Sequence, residues 1–434
     1  MIKTVPSSIF LLFNFFTFAL YGQAENSLTG NISPVEEKSS DIVELIAIDL
    51  EIGQFMKQWG LPGASVALVK DGKLLYAKAF GKADINIPTQ TEHVFRIASL
   101  SKPITAIAVM KLVEEGKLSL DDKVFGENGI LNDTTYSQIA DRRAKEITVR
   151  HLLNHTAGWD RNYGKEGDPM FNSVHIAETV GTPAPADAIT IIKYMLTKPL
   201  DFAPGTRFAY SNLGYNILGR VIEKVSSRTY EEYVMINILD PLGITDMSLG
   251  CNAYQNKQAN EVVYFERPEM KISPTNGDGK TSYYPYGGFN LEAMDAHGGW
   301  LASATDLAKI LVASSGMGTD RDILKIESVE KMVEPCEVYA NYGLGWCVNE
   351  RGNRWHTGSL AGASSMMASL NNGISWVLLF NGNPLTSEYF QSMDRVMWNA
   401  LSNIKEWPSE DLFLNPGTVK ANRDIVADNT PDLL

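Results

Sequence analysis

The sequence predicts an α+β protein, an antiparallel sheet flanked by N- and C-terminal helices with a mainly helical domain inserted between its two strand-bearing ends. Three observations carry this reading. Short apolar runs of strand texture lie near the start, at 64–80, and return near the end, at 345–381, while the long stretch between them reads as helix. Asp71-Gly72 joins the first two runs, and an Asp-Gly dipeptide in that position is a strong hairpin signal. The two strand-bearing ends can share one sheet only by closing around the middle. At 434 residues the chain can fill one large domain or two intimate ones.

In chain order, residues 1–24 have the form of a signal peptide. Lys3 is the only charge, an apolar core runs from Ile9 to Leu20, and Gly22-Gln23-Ala24 offers small residues for cleavage near Ala24. The core is too short for a transmembrane span and no other stretch approaches one. The expectation is a soluble exported protein, secreted or extracellular, or periplasmic in a Gram-negative host. Residues 25–40 are polar. Apolar side chains at helical spacing predict a helix over 41–58, ended by Gly60. Further helices are expected from about Leu100 or Ser101 to Val113, at 147–153, 186–196, 213–225 and 230–239, and at 305–315. Residues 250–290, rich in Pro, Tyr and Asn, read as one long irregular segment. Strands at 345–350, 354–357, 364–370 and 375–381 precede a closing helix at 387–401. This divides a domain over 25–405 into a sheet-bearing part (about 41–98 and 296–405), a helical part (about 99–250) and a loop (about 251–295), with a C-terminal tail over 406–434.

A formal charge of -13, one unit more negative without Lys3, argues against nucleic acid and acidic membrane surfaces as partners. It leaves a small-molecule or peptide substrate. The three cysteines, Cys251, Cys336 and Cys347, lack metal-ligand spacing, although one pair could bridge in an oxidising compartment. His151 and His155 stand four apart, but Leu152 and Leu153 between them suit a packed helix better than zinc. No metal and no other cofactor is expected.

The chemistry concentrates at Phe95-Arg96-Ile97-Ala98-Ser99-Leu100-Ser101-Lys102-Pro103. From Ile104 to Val113 nearly every residue is apolar, the pattern of a buried helix, and Pro103 belongs in its first turn. Ser99 and Lys102 then lie on one face at its mouth. A serine hydroxyl needs a base beside it to attack, and a lysine stripped of water can be that base. The spacing alone is weak, since Ser328 to Lys331 and Ser402 to Lys405 repeat it. Neither repeat opens an apolar helix.

Two further elements fit a hydrolytic site. Tyr210-Ser211-Asn212 supplies a phenol and an amide ahead of a helix, and a tyrosine flanked by cations can ionise well below its ordinary value and act as base, then acid. His356-Thr357-Gly358, followed by Ser359, ends a strand. There the Ser359 N–H could join that of Ser99 to hold an oxyanion, and Gly358 would let the backbone approach the substrate. His297-Gly298-Gly299 is a decoy for this motif.

Taken in this order and at these intervals, Ser99-x-x-Lys102, Tyr210-x-Asn212 and His356-Thr357-Gly358 resemble the three motifs of the serine beta-lactamase and penicillin-binding protein superfamily, its class C-like branch most of all. Residues 149–158 and 296–300 also resemble family segments, and the likeness runs from about Leu45 to Leu401. It implies that Ser99 attacks a carbonyl, that Lys102 and Tyr210 share the proton traffic, and that Asn212 holds the acyl side chain or Lys102. It also implies a beta-lactamase/transpeptidase-like fold. True class C beta-lactamases carry a charged lysine where this chain has His356, whereas related esterases and D-amino-acid peptidases commonly carry histidine. The expectation is therefore a secreted serine hydrolase of esterase or D-amino-acid peptidase type. The alternatives are a penicillin-binding enzyme or weak beta-lactamase, and a non-catalytic secreted protein associated with an extracellular or shell matrix.

Overall fold

The computed structural model describes residues 45–162, 167–265, 271–272 (backbone alone), 282–318 and 321–414. The expected signal peptide, the polar segment after it and the end of the tail lie outside these residues.

Helix α1 (Ile46–Trp59) buries Ile48, Ile52 and Phe55 and stops at Gly60, whose φ of 63° gives a left-handed cap. Strands β1 (Gly63–Lys70) and β2 (Lys73–Asp84) form the expected hairpin. Asp71 (φ 50°) and Gly72 (φ 77°) both take positive φ, the geometry that matches a two-residue turn to strand twist. Short strands β3 (Ile87–Pro88) and β4 (Phe95–Arg96) lead to α2 (Ser101–Glu114), in which every residue from Ser101 to Met110 is buried. An apolar run with no polar face has this outcome.

The middle is helical: α3 (Val149–Leu153), α4 (Ser173–Val180), α5 (Ala188–Leu196), α6 (Asn212–Ser226) and α7 (Tyr230–Val234). The helix expected over 230–239 changes to π geometry at Met235 and to a 3-10 turn at Asp240, where Pro241 removes a donor. Strand β5 (Ser248–Leu249) precedes the irregular segment, and β6 (Lys271–Ile272) and β7 (Ser282–Tyr283) punctuate it. Then come α8 (Asp295–Gly298), β8 (Trp300–Ala302), α9 (Ala304–Ala313) and α10 (Ile326–Val333). Strands β9 (Cys347–Val348), β10 (Arg354–Leu360), β11 (Ala363–Ser369) and β12 (Ile374–Phe380) precede α11 (Ser387–Ser402).

The seven-stranded sheet runs β3-β2-β1-β12-β11-β10-β9 with antiparallel pairs throughout. Its halves, distant in sequence, meet where β1 lies on β12, from Ala64 opposite Phe380 to Lys70 opposite Ile374. The strand expected over 345–350 shrinks to Cys347–Val348. Gly345 sits at φ 86°, and a Cβ there would fall 2.5 Å from the Ala106 Cβ, so this backbone is bent against α2 rather than extended. In consequence β9 pairs only with Arg354 and Trp355, which leaves the edge of β10 beyond them without a strand on that side. A small sheet, β4-β8-β5, was not legible because strands of two or three residues show no alternation.

The described chain forms two compact units. In one, α1 meets α11, with Phe55 stacked on Tyr389 at 5.4 Å and Trp59 edge-on to the same ring at 5.3 Å. The other holds Leu61–Asn383 and the described residues from Pro408. Within it α9 covers β1 and β12, and α2 runs among α6, α7 and α8. Thr105 of α2 donates to the Ala296 carbonyl (2.6 Å) and shares a hydrogen bond with the Tyr230 hydroxyl (2.7 Å), which accepts from Trp300 Nε1 (2.9 Å). All three cysteines are free, so the one disulfide that the sequence allowed is not formed. Among the described residues no helix is long and apolar enough to cross a membrane.

Candidate active site

Ser99 lies in a 3-10 turn (Ala98–Leu100) that runs directly into α2. The residue before it, Ala98, has φ 49°, a left-handed conformation that costs a side chain about 1 kcal/mol or more. The turn is pinned from the sheet, since Ser365 Oγ on β11 donates to the Ile97 carbonyl at 2.8 Å. Gly358 on β10 makes this approach feasible, because a Cβ there would sit 2.3 Å from the Ile97 oxygen. Gly358 thus admits the backbone that carries Ser99, a role the sequence did not suggest.

Lys102 is wholly buried, and its Nζ donates to Ser99 Oγ (3.0 Å) and to the His297 carbonyl (2.8 Å). Burial holds its pKa well below the ordinary lysine value; Arg161 pushes the same way and Asp168 opposes. The segment set aside as a decoy, His297-Gly298-Gly299, therefore supplies the carbonyl that steadies the amine.

Tyr210 is half-buried, with its ring 4.9 Å from Lys102 Nζ and 4.3 Å from the His155 ring. The Arg161 guanidinium lies over its face at 4.6 Å. Here the structure overturns an expectation. Loss of water raises the phenol's pKa above its ordinary value, and the Ser99 hydroxyl and Arg161, which favour phenolate, are the smaller effects. Tyr210 accordingly keeps its proton.

Ser211 fixes the turn beside Tyr210. Its Oγ caps α6 by accepting from the Gly214 N–H (3.1 Å), and its own N–H donates to His155 Nδ1 (3.1 Å). His155 itself is buried at φ 61° and held neutral by burial and Lys102, while His151 Nδ1 accepts from the Thr148 N–H (3.2 Å) and closes the start of α3. Asn212 does not touch Lys102. Its Nδ2 donates to Asp168 at 2.6 Å, and its Oδ1 is buried with no partner among the described residues. It opens onto a cavity of about 300 Å³ lined by Trp159, Arg161, Asp168, Met195 and Leu213.

On β10, His356 is buried, with Nδ1 donating to the Thr357 carbonyl (2.7 Å) and Nε2 facing the Tyr342 hydroxyl (3.2 Å). Burial, aided by Lys102, lowers its pKa to about 3, so the ring is neutral at pH 7 and its centroid lies 6.2 Å from that of Tyr210. Thr357 and Ser359 are half-buried on the same strand, along the edge that β9 leaves open, and Ser359 Oγ accepts from Asn383 Nδ2 (2.9 Å). Arg161, Asp168 and Tyr342 were missed in the sequence because they are single residues in loops with no repeating pattern.

Arg96, three residues before Ser99, ties down the irregular segment. Its buried guanidinium stacks on Tyr264 (4.4 Å), donates to the Pro285 and Cys251 carbonyls, and lies 3.6 Å from Glu261.

A buried amine on a serine hydroxyl, a protonated phenol beside both and a sheet edge alongside define a protein of the serine hydrolase type. The family model described as Beta-lactamase matches residues 48–397, and this chain belongs to that family. Among curated proteins, it is 24% identical over 343 residues to one named "Putative D-alanyl-D-alanine carboxypeptidase" from Escherichia coli O157:H7, covering 73% of this chain and 75% of that one. Among solved structures, it is similar to the octameric penicillin-binding protein homologue from Pyrococcus abyssi (27% identity, TM-score 0.61, 83% of this chain and 78% of that one). It also shares its fold with D-amino acid amidase from Ochrobactrum anthropi SV3 (22% identity, TM-score 0.62, 83% and 97% covered).

Proposed function

We propose that this protein is an exported serine hydrolase that cleaves an ester or amide through an acyl-enzyme on Ser99. The observation that carries the reading is the 3.0 Å contact between Ser99 Oγ and a lysine whose burial favours the neutral amine. Lys102 takes the hydroxyl proton as Ser99 attacks the carbonyl carbon, and the carbonyl oxygen takes up negative charge against the N–H groups of Ser99 and Ser359. Tyr210, which retains its proton, donates it to the departing oxygen or nitrogen, and the proton that Lys102 took from Ser99 then restores the phenol, whose ring lies 4.9 Å from Lys102 Nζ. Water then releases the acyl group. The neutral His356 offers no fixed charge to a substrate carboxylate, which favours esterase or D-amino-acid peptidase chemistry over strong beta-lactam hydrolysis. The amidase neighbour supports a D-amino-acid amide as one substrate to try.

A panel of p-nitrophenyl esters, D- and L-amino acid amides, D-Ala-D-Ala peptides and nitrocefin, run on wild type and Ser99→Ala, tests this. Turnover of an ester or D-amide that vanishes in Ser99→Ala is the expected result; turnover unchanged in that variant overturns it. The penicillin-binding reading is supported by the Pyrococcus relative, and it predicts that fluorescent penicillin labels Ser99.

A further inference from the structure

A second pocket, which shares no lining residue with the site above, opens where the β1–β2 and β11–β12 turns meet the end of α9 and the face of α10. Its volume of about 630 Å³ falls within the range of small-molecule sites. Most of its wall is apolar, yet it contains one cation. Arg354, the first residue of β10, is only 5% exposed. Its Nη2 donates to the Ser314 carbonyl at 2.6 Å and its guanidinium lies 5.0 Å from the Trp346 ring. No carboxylate among the described residues pairs with it. Asp71, on the rim, bonds Lys70 instead at 3.0 Å, and Glu330, also on the rim, is exposed.

A buried charge without a counter-ion is costly, and a native protein normally pairs it. Here burial lowers the Arg354 pKa to about 10, so the group still carries its charge at neutral pH. The remaining guanidinium N–H groups form a planar fork, the shape that a carboxylate meets with two parallel hydrogen bonds.

We propose that this pocket binds a small amphipathic carboxylate, its anionic head on Arg354 and its apolar body against Val69, Val312, Ile326, Val329 and Leu370. The counter-ion that Arg354 lacks among the described residues is then the ligand's own head group. The proposal is independent of catalysis at Ser99.

Calorimetric titration of the purified full chain with sodium octanoate, against octanol and octylammonium, reads this directly. Octanoate is expected to bind one-to-one and to raise the melting temperature, with octanol weaker by about tenfold or more and octylammonium silent. Arg354→Met keeps the volume and removes the charge, so it should lose octanoate affinity by about tenfold or more while melting no lower than wild type without ligand. Val333→Trp, which narrows the pocket and leaves Arg354 in place, should also weaken octanoate. Absence of octanoate binding to wild type, equal binding of all three probes, or a lower unliganded melting temperature for Arg354→Met together with undiminished octanoate binding would each overturn it.

Discussion

In the proposed mechanism the attack by Ser99 depends on the protonation of Lys102, and burial sets the direction of that dependence. The ammonium form loses water and receives only a carbonyl and a hydroxyl in return, so the pKa falls and the neutral form is reached well below the ordinary lysine range. As pH rises through that lowered value the neutral fraction grows, and kcat/KM is expected to climb there and to be level by the range in which free lysine titrates. His356, at about 3, contributes no step between about pH 5 and 8. A pH–rate profile checks both statements. Lys102→Ala should reduce kcat/KM by about 10²- to 10⁴-fold with the circular dichroism spectrum retained. Ser99 and Lys102 were legible in the sequence because a hydroxyl and an amine opened an unbroken apolar run. The groups that tune them were not. A backbone carbonyl, such as that of His297, carries no side-chain signature, and Arg161 reaches Tyr210 only through the path of its loop.

Long elements with one clean period were readable, and short or bent ones were not. The Asp71-Gly72 hairpin and the α2 run declared themselves, whereas β9 was over-extended because nothing at Gly345 announces that its backbone must pass Ala106. Gly345→Ala should therefore cost about 2 kcal/mol or more, through a forced positive φ as well as a contact of 2.5 Å, and should lower the urea midpoint. On α11, burial raises the Asp394 carboxyl from its ordinary value to about 6, and its Oδ1 has no partner among the described residues. The sign follows from the protons bound. Between about pH 4 and 6 the folded state holds a proton that the unfolded chain releases, so stability falls as pH rises through that window and stays lower above it. Asp394→Asn should gain about 1–2 kcal/mol at pH 7 or above and nothing below about pH 4, as thermal melts at the two pH values would show.

At the scale of the molecule, the chain's two strand-bearing ends meet at β1 and β12, and that closure brings β10 to the turn carrying a serine more than two hundred positions earlier. Fold class was legible because only such closure makes one sheet from both ends, while the path of the 250–290 segment was not, since groups that hold it, such as Arg96, Asn290 and backbone carbonyls, follow no period. Arg96→Ala strands Glu261 in a buried position and should cost about 3–5 kcal/mol, and adding Glu261→Gln should recover part of that loss in a double-mutant cycle of unfolding free energies. The central claim, that closure builds an acylating serine, is tested most directly by intact-protein and peptide mass spectrometry after exposure to a fluorophosphonate and to a slowly deacylating activated ester. The prediction is a single adduct on the peptide containing Ser99, absent from Ser99→Ala and strongly slowed in Lys102→Ala. An unmodified Ser99 peptide under every reagent, or an adduct on another residue that persists in Ser99→Ala, would contradict it.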